Sequence, residues 1–484
     1  MSLYRAAARG ALVTGAAQVF RIVFQLASTV VMARLLAPGD YGVLAMVAVL
    51  IGLGELLRDA GLSFATVQAR EVSDAQQSNL FWLNVAVAAV LAVATCVAAP
   101  WLARFYSEPR VVPVCEALAI TFLINGASAQ YGTRLNRAMA FGRMAQVDIA
   151  GMVISAAIAI AMAMHGFGLW ALVAQRLAHS LIALVLMVRF TGWVPSWPQR
   201  HATIRPFLRY GWGLLGVQLV NFGARSVDAM VIGYRFGGEA LGLYNRAFQL
   251  LMVPFTQLSG PSTSVALPLL SRIDDRDTYL DVLVRAQNVF MHAMALPLAV
   301  LMCWADPLIP WLLGERWVDT VPIFRILVVG CLFQVAGYAC YWVFLSRGLT
   351  QLHFALSLVT RPAMIGLMVL GATWGTQGVA IGYVSGLAVA WIGSLVALRD
   401  DPALVRRLAL NALVVIVTYG LAAGGGAAMA HVLAQGPVSH LAWSGLGLAV
   451  TLVLQAVLNP RFRGSLSDSL RSAKKMLGKG VVSA

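Results

Sequence analysis

Residues 31–42 have the sequence VMARLLAPGDYG and stand between two long apolar runs. The preceding run, 11–33, is long enough to cross the hydrocarbon core of a bilayer, which needs about 20 helical residues. A second run, 42–57, follows after only a few residues. The pattern predicts two membrane-spanning helices joined by a short turn, and the same arrangement recurs along the chain.

The composition is typical of a polytopic membrane protein. Of the 484 residues, 60% are hydrophobic and 11% are charged, and the mean hydropathy is +0.79. A soluble domain carries about 25% charged residues. No polar stretch is long enough for a separate soluble domain, so we predict that the membrane unit is the whole protein. The first run exceeds the apolar core of a signal peptide, and we expect it to be a retained span.

The predicted fold is all-α, with about fourteen transmembrane helices. The candidate spans cover residues 11–33, 42–57, 79–99, 112–131, 146–164, 168–189, 211–233, 242–268, 287–305, 320–345, 354–373, 376–397, 408–432 and 439–458.

The basic residues predict the orientation, because cytoplasmic loops carry an excess of Lys and Arg. With the N-terminus in the cytoplasm, 24 of the 35 basic residues lie in cytoplasmic segments, five in outside loops and six in spans. Both termini are then cytoplasmic. The net charge of +15 follows from this topology and does not indicate nucleic-acid binding. The basic tail is expected to lie on anionic headgroups.

An internal repeat relates the two halves of the chain. A shift of 200 residues places spans one and two on spans seven and eight without a gap, so that PGDYG at 38–42 falls on GEALG at 238–242. Six spans separate the copies, and because six is even, both copies enter the membrane from the same side. We therefore predict two parallel six-helix lobes around a central cavity, as in two-lobed transporters.

The repeat also sets the predicted domain boundaries. They are an N-lobe at 1–190, a cytoplasmic linker at 191–210, a C-lobe at 211–398, an extra helix pair at 399–458 and a basic cytoplasmic tail at 459–484.

Six arginines lie within the predicted spans, where a guanidinium costs about 2.5–3.5 kcal/mol on insertion scales. They are Arg21, Arg176, Arg225, Arg246, Arg325 and Arg361. A polar cavity between helices would accommodate them, and a cationic cavity suits an anionic cargo. Arg246 and Arg325 begin their spans near the outer face, so snorkelling to the interface stays open as an alternative for both.

Arg21 is the best candidate for binding an anionic cargo. In the repeat it falls opposite Asn221, and Arg225 falls opposite Gln25, so each copy carries one arginine and one amide about a helical turn apart. The polar faces of spans one and seven are predicted to face each other across the cleft. The candidate substrate-binding residues are Arg21, Arg225, Arg246, Arg176 and Arg361.

Three acids in the spans are candidates for ion coupling: Glu55, Asp148 and Asp228. Each has a simpler alternative where a basic residue is near. Asp228 could pair with Arg225, and Glu55 could pair with Arg58 or Arg21. The five cysteines and the isolated histidines lack metal-ligand spacing, so we expect no metal and no cofactor, with a proton or sodium gradient as the energy source.

Three stretches resemble a known family. VMARLLAPGDYG at 31–42 is similar to the first outside turn of polysaccharide and lipopolysaccharide exporters, and so are DAGLSFATVQ at 59–68 and GLYNRA at 242–247. The resemblance is to the Wzx-type oligosaccharide flippases of the multidrug/oligosaccharidyl-lipid/polysaccharide (MOP) exporter superfamily.

The resemblance implies a two-lobed, V-shaped helical bundle in the bacterial inner membrane, which is a transporter and not an enzyme. Its cargo would be undecaprenyl-pyrophosphate-linked oligosaccharide, moved to the outer leaflet by alternating access for exopolysaccharide, capsule or O-antigen synthesis. Implied partners are membrane lipids, a polysaccharide polymerase and export machinery. A lipid II flippase, a cation-coupled exporter, a membrane-embedded glycosyltransferase or polymerase and a non-transporting scaffold stay open as alternatives.

Overall fold

The computed structural model describes the backbone of residues 3–59, 61–69, 71–469 and 471. Within the helices, the description leaves out the side chains of residues 3–17, 19, 64, 210–214, 217, 220, 221, 224, 225 and 254. The side chain of Arg225, one of the predicted cavity arginines, and that of Asn221 therefore lie outside the described residues.

All regular secondary structure in the described part of the chain is helical. The helices are α1 Leu3–Leu35, α2 Pro38–Asp59, α3 Leu62–Gln68, α4 Asp74–Tyr106, α5 Val111–Arg137, α6 Phe141–Met164, α7 Leu169–Thr191, α8 Arg205–Leu270, α9 Arg276–Leu313, α10 Thr320–Ser346, α11 Thr350–Gly371, α12 Gly375–Ala397, α13 Pro402–Leu433 and α14 Pro437–Leu458. Short 3₁₀ turns follow α9 at Glu315–Trp317 and α11 at Ala372–Trp374.

The helices confirm a multi-pass membrane protein. Among the described residues, ten helical segments are long and apolar enough to cross a bilayer, and one of them contains both α11 and α12. Twelve of the predicted spans fall within one helix or within one part of α8, whereas 168–189 begins one residue before α7 and 354–373 ends two residues after α11. The ten segments do not include α1 or α8, so the number fourteen stays a prediction.

Short polar side chains cap the beginnings of several helices. The Ser73 hydroxyl accepts a hydrogen bond from the Gln76 amide at 3.2 Å, and the Gln76 side chain accepts one from the Ser73 amide at 3.1 Å. Asp275 and Asp401 cap α9 and α13, each accepting from the backbone amide three residues later. Such a cap is worth about 1 kcal/mol, because it satisfies an N–H that has no partner within the helix.

The chain divides into two compact units, Met1–Gly242 and Leu243–Ala484. In the first unit, α4 packs on α5, and α7 packs on both α5 and α6. In the second, α11 packs on α12, α10 packs on α9 and α12, and the α13–α14 pair packs on α9. The boundary between the units falls within α8, and the lobe limits derived from the repeat stay a prediction.

A crossing of α2 and α8 in the first unit follows the 200-residue repeat. Helix α8 leaves helical geometry at Gly237, whose φ of 80° lies in the region that favours glycine. Gly238 and Gly242 follow Gly237 on α8 and lie against α2. A side chain on Gly42 would overlap the backbone of Gly238, and a side chain on Gly242 would overlap the backbone of Pro38. These two contacts exchange under the 200-residue shift. The repeat copies therefore meet here through equivalent residues, with backbones touching where a side chain is absent.

The segment that joins α7 to α8 is bound to the start of α4. The Asn79 side chain donates to the carbonyls of Gln199 and Ala202, both at 2.8 Å, and accepts from the Gln199 amide at 2.8 Å. Trp82 stacks on Trp197 with ring centroids 5.3 Å apart. This part of the predicted cytoplasmic linker is therefore an integral part of the first unit.

Candidate functional site

Arg21 lies near the middle of α1 and faces α6. Its Nη2 is 3.6 Å from Asp148 Oδ2, and the two side chains are 38% and 53% exposed. This distance allows an ion pair but is too long for a hydrogen bond. The Nε atom is buried, and no N–H of the guanidinium donates to any residue that the structure describes. Arg21 therefore has a partial counter-charge, and within the described part of the chain its N–H donors have no acceptor.

Glu55, on α2, has partners for both carboxylate oxygens. Arg58 Nε donates to Oε2 at 2.8 Å, and Asn125 Nδ2 donates to Oε1 at 2.8 Å from α5. Arg58 Nη1 also donates to the Asn125 carbonyl at 3.3 Å. Of the two pairs considered from the sequence, the structure shows the one with Arg58. The local i,i+3 spacing favours this pair, because both side chains lie on one helix face. A coupling role for Glu55 stays a prediction.

Arg246, on the second part of α8, is buried, with 5% of its surface exposed. Its Nη1 donates to Gln249 Oε1 at 3.2 Å, and its Cζ lies 5.5 Å from the ring centroid of Trp317. Trp317 belongs to the 3₁₀ turn after α9 and is fully buried. A cation over an indole face is attracted by the ring quadrupole. These contacts let Arg246 join α8 to that turn, and a cargo-binding role stays a prediction.

The other candidates are placed as follows. Arg176 is exposed on α7 and makes no hydrogen bond or ion pair with the described side chains. Arg361 is half-buried on α11. Asp228 is half-buried on α8, and its Oδ1 accepts from the Ala229 amide at 2.8 Å. The predicted pair of Asp228 with Arg225 stays a prediction, because the Arg225 side chain is outside the described residues.

Arg325 belongs to a charged cluster that sequence reasoning did not find. It pairs with Asp306 of α9, and Asp306 Oδ2 is 3.6 Å from His440 Nε2 of α14. The cluster lines a cavity of about 700 Å³ in the second unit. Its members are far apart in sequence and on three helices, so no local spacing could have indicated the cluster. The structure therefore supplies Arg325 with a carboxylate partner.

The described residues bring together one pair of the predicted functional groups, Arg21 and Asp148. A guanidinium with free donors can bind a phosphate through two parallel N–H···O bonds. Asp148 would be its counter-ion when no phosphate is bound. No group of three or more metal-ligating side chains occurs in the described chain.

Comparison with known proteins identifies a family for the chain. A family described as "Polysaccharide biosynthesis protein" matches residues 31–322, more than half of the chain. The teichuronic acid biosynthesis protein TuaB of Bacillus subtilis (strain 168) is 28% identical over 307 residues, which are 62% of this chain and 63% of that protein, less than two thirds of its length. The lipopolysaccharide biosynthesis protein WzxC of Escherichia coli (strain K12) is 23% identical over 392 residues, 79% of each chain.

A solved structure shares the fold. The lipid II flippase MurJ, in an inward closed conformation, superposes with a TM-score of 0.72 and 12% identity, covering 92% of this chain and 98% of that one. At this identity the likeness shows the fold alone. It confirms the predicted all-α membrane fold.

Proposed function

We propose that this chain, which belongs to the polysaccharide biosynthesis protein family, moves a lipid-linked oligosaccharide across the bacterial cytoplasmic membrane. The cargo is an undecaprenyl-pyrophosphate-linked repeat unit, turned from the inner to the outer leaflet for exopolysaccharide, capsule or O-antigen synthesis. The family match and the similarity to TuaB and WzxC, proteins of teichuronic acid and lipopolysaccharide biosynthesis, support this proposal. The Lys and Arg asymmetry supports cytoplasmic termini.

The observation that carries the proposal is the environment of Arg21. A pyrophosphate must cross about 30 Å of hydrocarbon, and it needs a cation that stays charged there. Arginine remains protonated and matches phosphate geometry with a rigid fork of donors. Among the described residues, nothing accepts a hydrogen bond from the Arg21 guanidinium, and the ion pair that it makes there is the 3.6 Å contact with Asp148. A cargo phosphate would gain hydrogen bonds that Asp148 does not make.

Reconstituted transport tests the proposal. The purified chain in liposomes should expose a lipid-linked oligosaccharide to the outer leaflet faster than protein-free vesicles do. We expect Arg21→Ala to lower the initial rate about tenfold, because a charge-assisted bond to phosphate is lost. Arg104→Ala is the matched control, since Arg104 is an exposed arginine at the end of α4 without a partner among the described residues. It should transport like the wild type.

The two parts of the proposal fail separately. If the wild type is no faster than protein-free vesicles, the flippase function is wrong. If the wild type transports and Arg21→Ala matches it, only the role of Arg21 is wrong. Dependence of the rate on an imposed proton or sodium gradient would identify the driving ion, and no cofactor is required in either case.

A lipid II flippase is the second candidate, because the fold of MurJ covers most of the chain. The same liposomes can carry lipid II in place of the oligosaccharide lipid. We expect slower transport of lipid II, since the sequence relatives are named for the biosynthesis of teichuronic acid and lipopolysaccharide. Faster transport of lipid II than of the oligosaccharide lipid would make the lipid II flippase the better of the two candidates. In a separate assay, growth of glycan chains by the purified protein would indicate a polymerase.

A further inference from the structure

A groove between α4 and α5 in the first unit contains a single carboxylate, that of Glu116. The groove has a volume of about 390 Å³, and apart from Glu116 its lining is apolar or formed by Cys96. Its walls include Val93 and Val97 from α4 and Ile120 and Leu123 from α5, all with at least 41% of their surface exposed. It is therefore a lipid-facing surface with one carboxylate.

Glu116 has no partner within the described protein. Its side chain is exposed, and it makes no hydrogen bond or ion pair with the residues that the structure describes. Arg110, at the start of α5, is engaged elsewhere: its Nε donates to Glu108 at 2.9 Å and its Nη1 lies 3.6 Å from Asp40. A carboxylate on a span needs compensation, because hydrocarbon does not solvate charge. The described residues supply no such cation, so a cation that compensates Glu116 would come from outside the described chain.

The position of the groove suits the head and the upper chain of a lipid. Helix α5 begins at Val111, and at 1.5 Å per residue Glu116 lies about 7.5 Å and Leu123 about 18 Å along the helix. In the predicted orientation this end of α5 faces the outside. The carboxylate is then close to the headgroup region, and the apolar walls continue about 10 Å deeper. Ala92, Cys96 and Ala119 keep the floor of the groove low, because their side chains are small.

We propose that this groove binds a phospholipid whose headgroup ends in a primary ammonium, such as phosphatidylethanolamine. The ammonium pairs with Glu116, and one acyl chain lies between the valines of α4 and the apolar residues of α5. Charge complementarity selects this occupant, since a lipid with a net negative headgroup would be repelled by the same carboxylate. The proposal requires only that the chain spans a membrane, and it does not depend on the transported cargo.

Native mass spectrometry of the full-length protein tests the site. The purified protein is equilibrated with equal amounts of phosphatidylethanolamine and phosphatidylglycerol that carry identical acyl chains. We expect the wild type to retain phosphatidylethanolamine with about a fivefold preference, the size typical of one charge contact near a membrane surface. Glu116→Gln keeps the size of the side chain and removes its charge, so the preference should disappear while the protein stays folded.

Two further variants separate charge from shape. Glu239→Gln removes an exposed carboxylate at the outer part of α8, outside the groove, and should keep the wild-type preference. Val97→Trp fills the groove and should lower the retention of both lipids. The proposal is wrong if Glu116→Gln keeps the preference, or if Val97→Trp retains as much phosphatidylethanolamine as the wild type. A dimer or a bound protein in the wild-type spectrum that Glu116→Gln removes would assign the groove to a basic transmembrane helix and would also overturn the proposal.

Discussion

Arg21 and Arg246 look alike in the sequence and have opposite surroundings in the structure. Both are arginines in long apolar runs. Arg246 is 5% exposed, donates to Gln249 and lies over the ring of Trp317. Arg21 is partly exposed and has one ion-pair partner 3.6 Å away, with no hydrogen bond to the described residues. The surroundings of Arg246 stabilise the fold, whereas within the described residues the guanidinium donors of Arg21 stay available for a ligand.

Two glutamates show the same contrast. Glu55 has an arginine and an amide on its two oxygens, and Glu116 has no partner in the described chain. A charge in a membrane span is costly, so its surroundings indicate its role. A charged side chain whose polar atoms all have partners within the protein, such as Glu55, indicates a structural role. A charged side chain in a span that lacks such partners among the described residues indicates a binding site for a ligand, either the cargo or a lipid.

The largest expected effect is on the stability of the Arg246→Ala variant. Removing the guanidinium breaks the hydrogen bond to Gln249 and the contact with the ring of Trp317, and it opens space in a buried region. We expect the free energy of unfolding to fall by about 2–3 kcal/mol. Thermal and denaturant unfolding in detergent would measure this loss. Arg21→Ala is the comparison variant and should unfold like the wild type; equal losses in both variants would remove the distinction between the two arginines.

A smaller effect is expected when the counter-ion of Arg21 is neutralised. Asp148→Asn leaves the guanidinium with no competing carboxylate, so undecaprenyl pyrophosphate should bind about threefold more tightly, as expected for a weak exposed ion pair. Isothermal titration in detergent would give the Kd. Arg21→Ala should change the Kd in the opposite direction. Weaker binding by Asp148→Asn would show that Asp148 helps to hold the phosphate and does not compete for Arg21.

The smallest effect concerns a fully paired carboxylate at the start of α13. The hydrogen bond from Arg276 holds the pKa of Asp401 below its ordinary value of 3.8, with help from the Leu404 amide and Arg347. A pKa lowered by folding stabilises the protein above the ordinary value, and this contribution disappears as the pH falls through the lowered one. At pH 7 the Tm of Asp401→Asn should therefore be about 1–2 °C below that of the wild type, as for an ion pair whose arginine is largely exposed.

The pH dependence of that difference is the decisive measurement. Unfolding of both proteins is followed between pH 7 and pH 3, and the two Tm values should converge below about pH 4. A difference that is constant over this range would show that the carboxylate acts through its neutral hydrogen bonds and not through its charge.

Much of the fold could be predicted because its cause is local. The predicted spans, from 11–33 to 439–458, coincide with helices to within two residues at their ends, since about 20 apolar residues in a bilayer must satisfy their backbone hydrogen bonds within the segment. The repeat could also be predicted, and the crossing of Gly42 with Gly238 and of Gly242 with Pro38 follows its 200-residue shift. The pair of Glu55 with Arg58 was one of two alternatives, because three residues of separation on a helix bring side chains together.

The candidate site could be predicted only as a set of residue types. Arg21 and Asp148 were selected for different roles, and nothing in their separation of more than a hundred residues indicates that they meet. The same applies to Arg325 with Asp306 and His440, and to Arg246 with Trp317. Glu116 lies in the predicted span 112–131 and was overlooked, although a carboxylate within a span was a sufficient signal.

The amino-acid sequence was enough to establish a helical membrane protein with repeated halves and a surplus of charge in its spans. Hydrophobicity and helix formation act between residues close along the chain, so these features can be read in order. Whether a given charge is satisfied depends on which side chains neighbouring helices present at the same depth. That is a property of packing between distant segments, and it is what distinguishes Arg21 from Arg246 and Glu116 from Glu55.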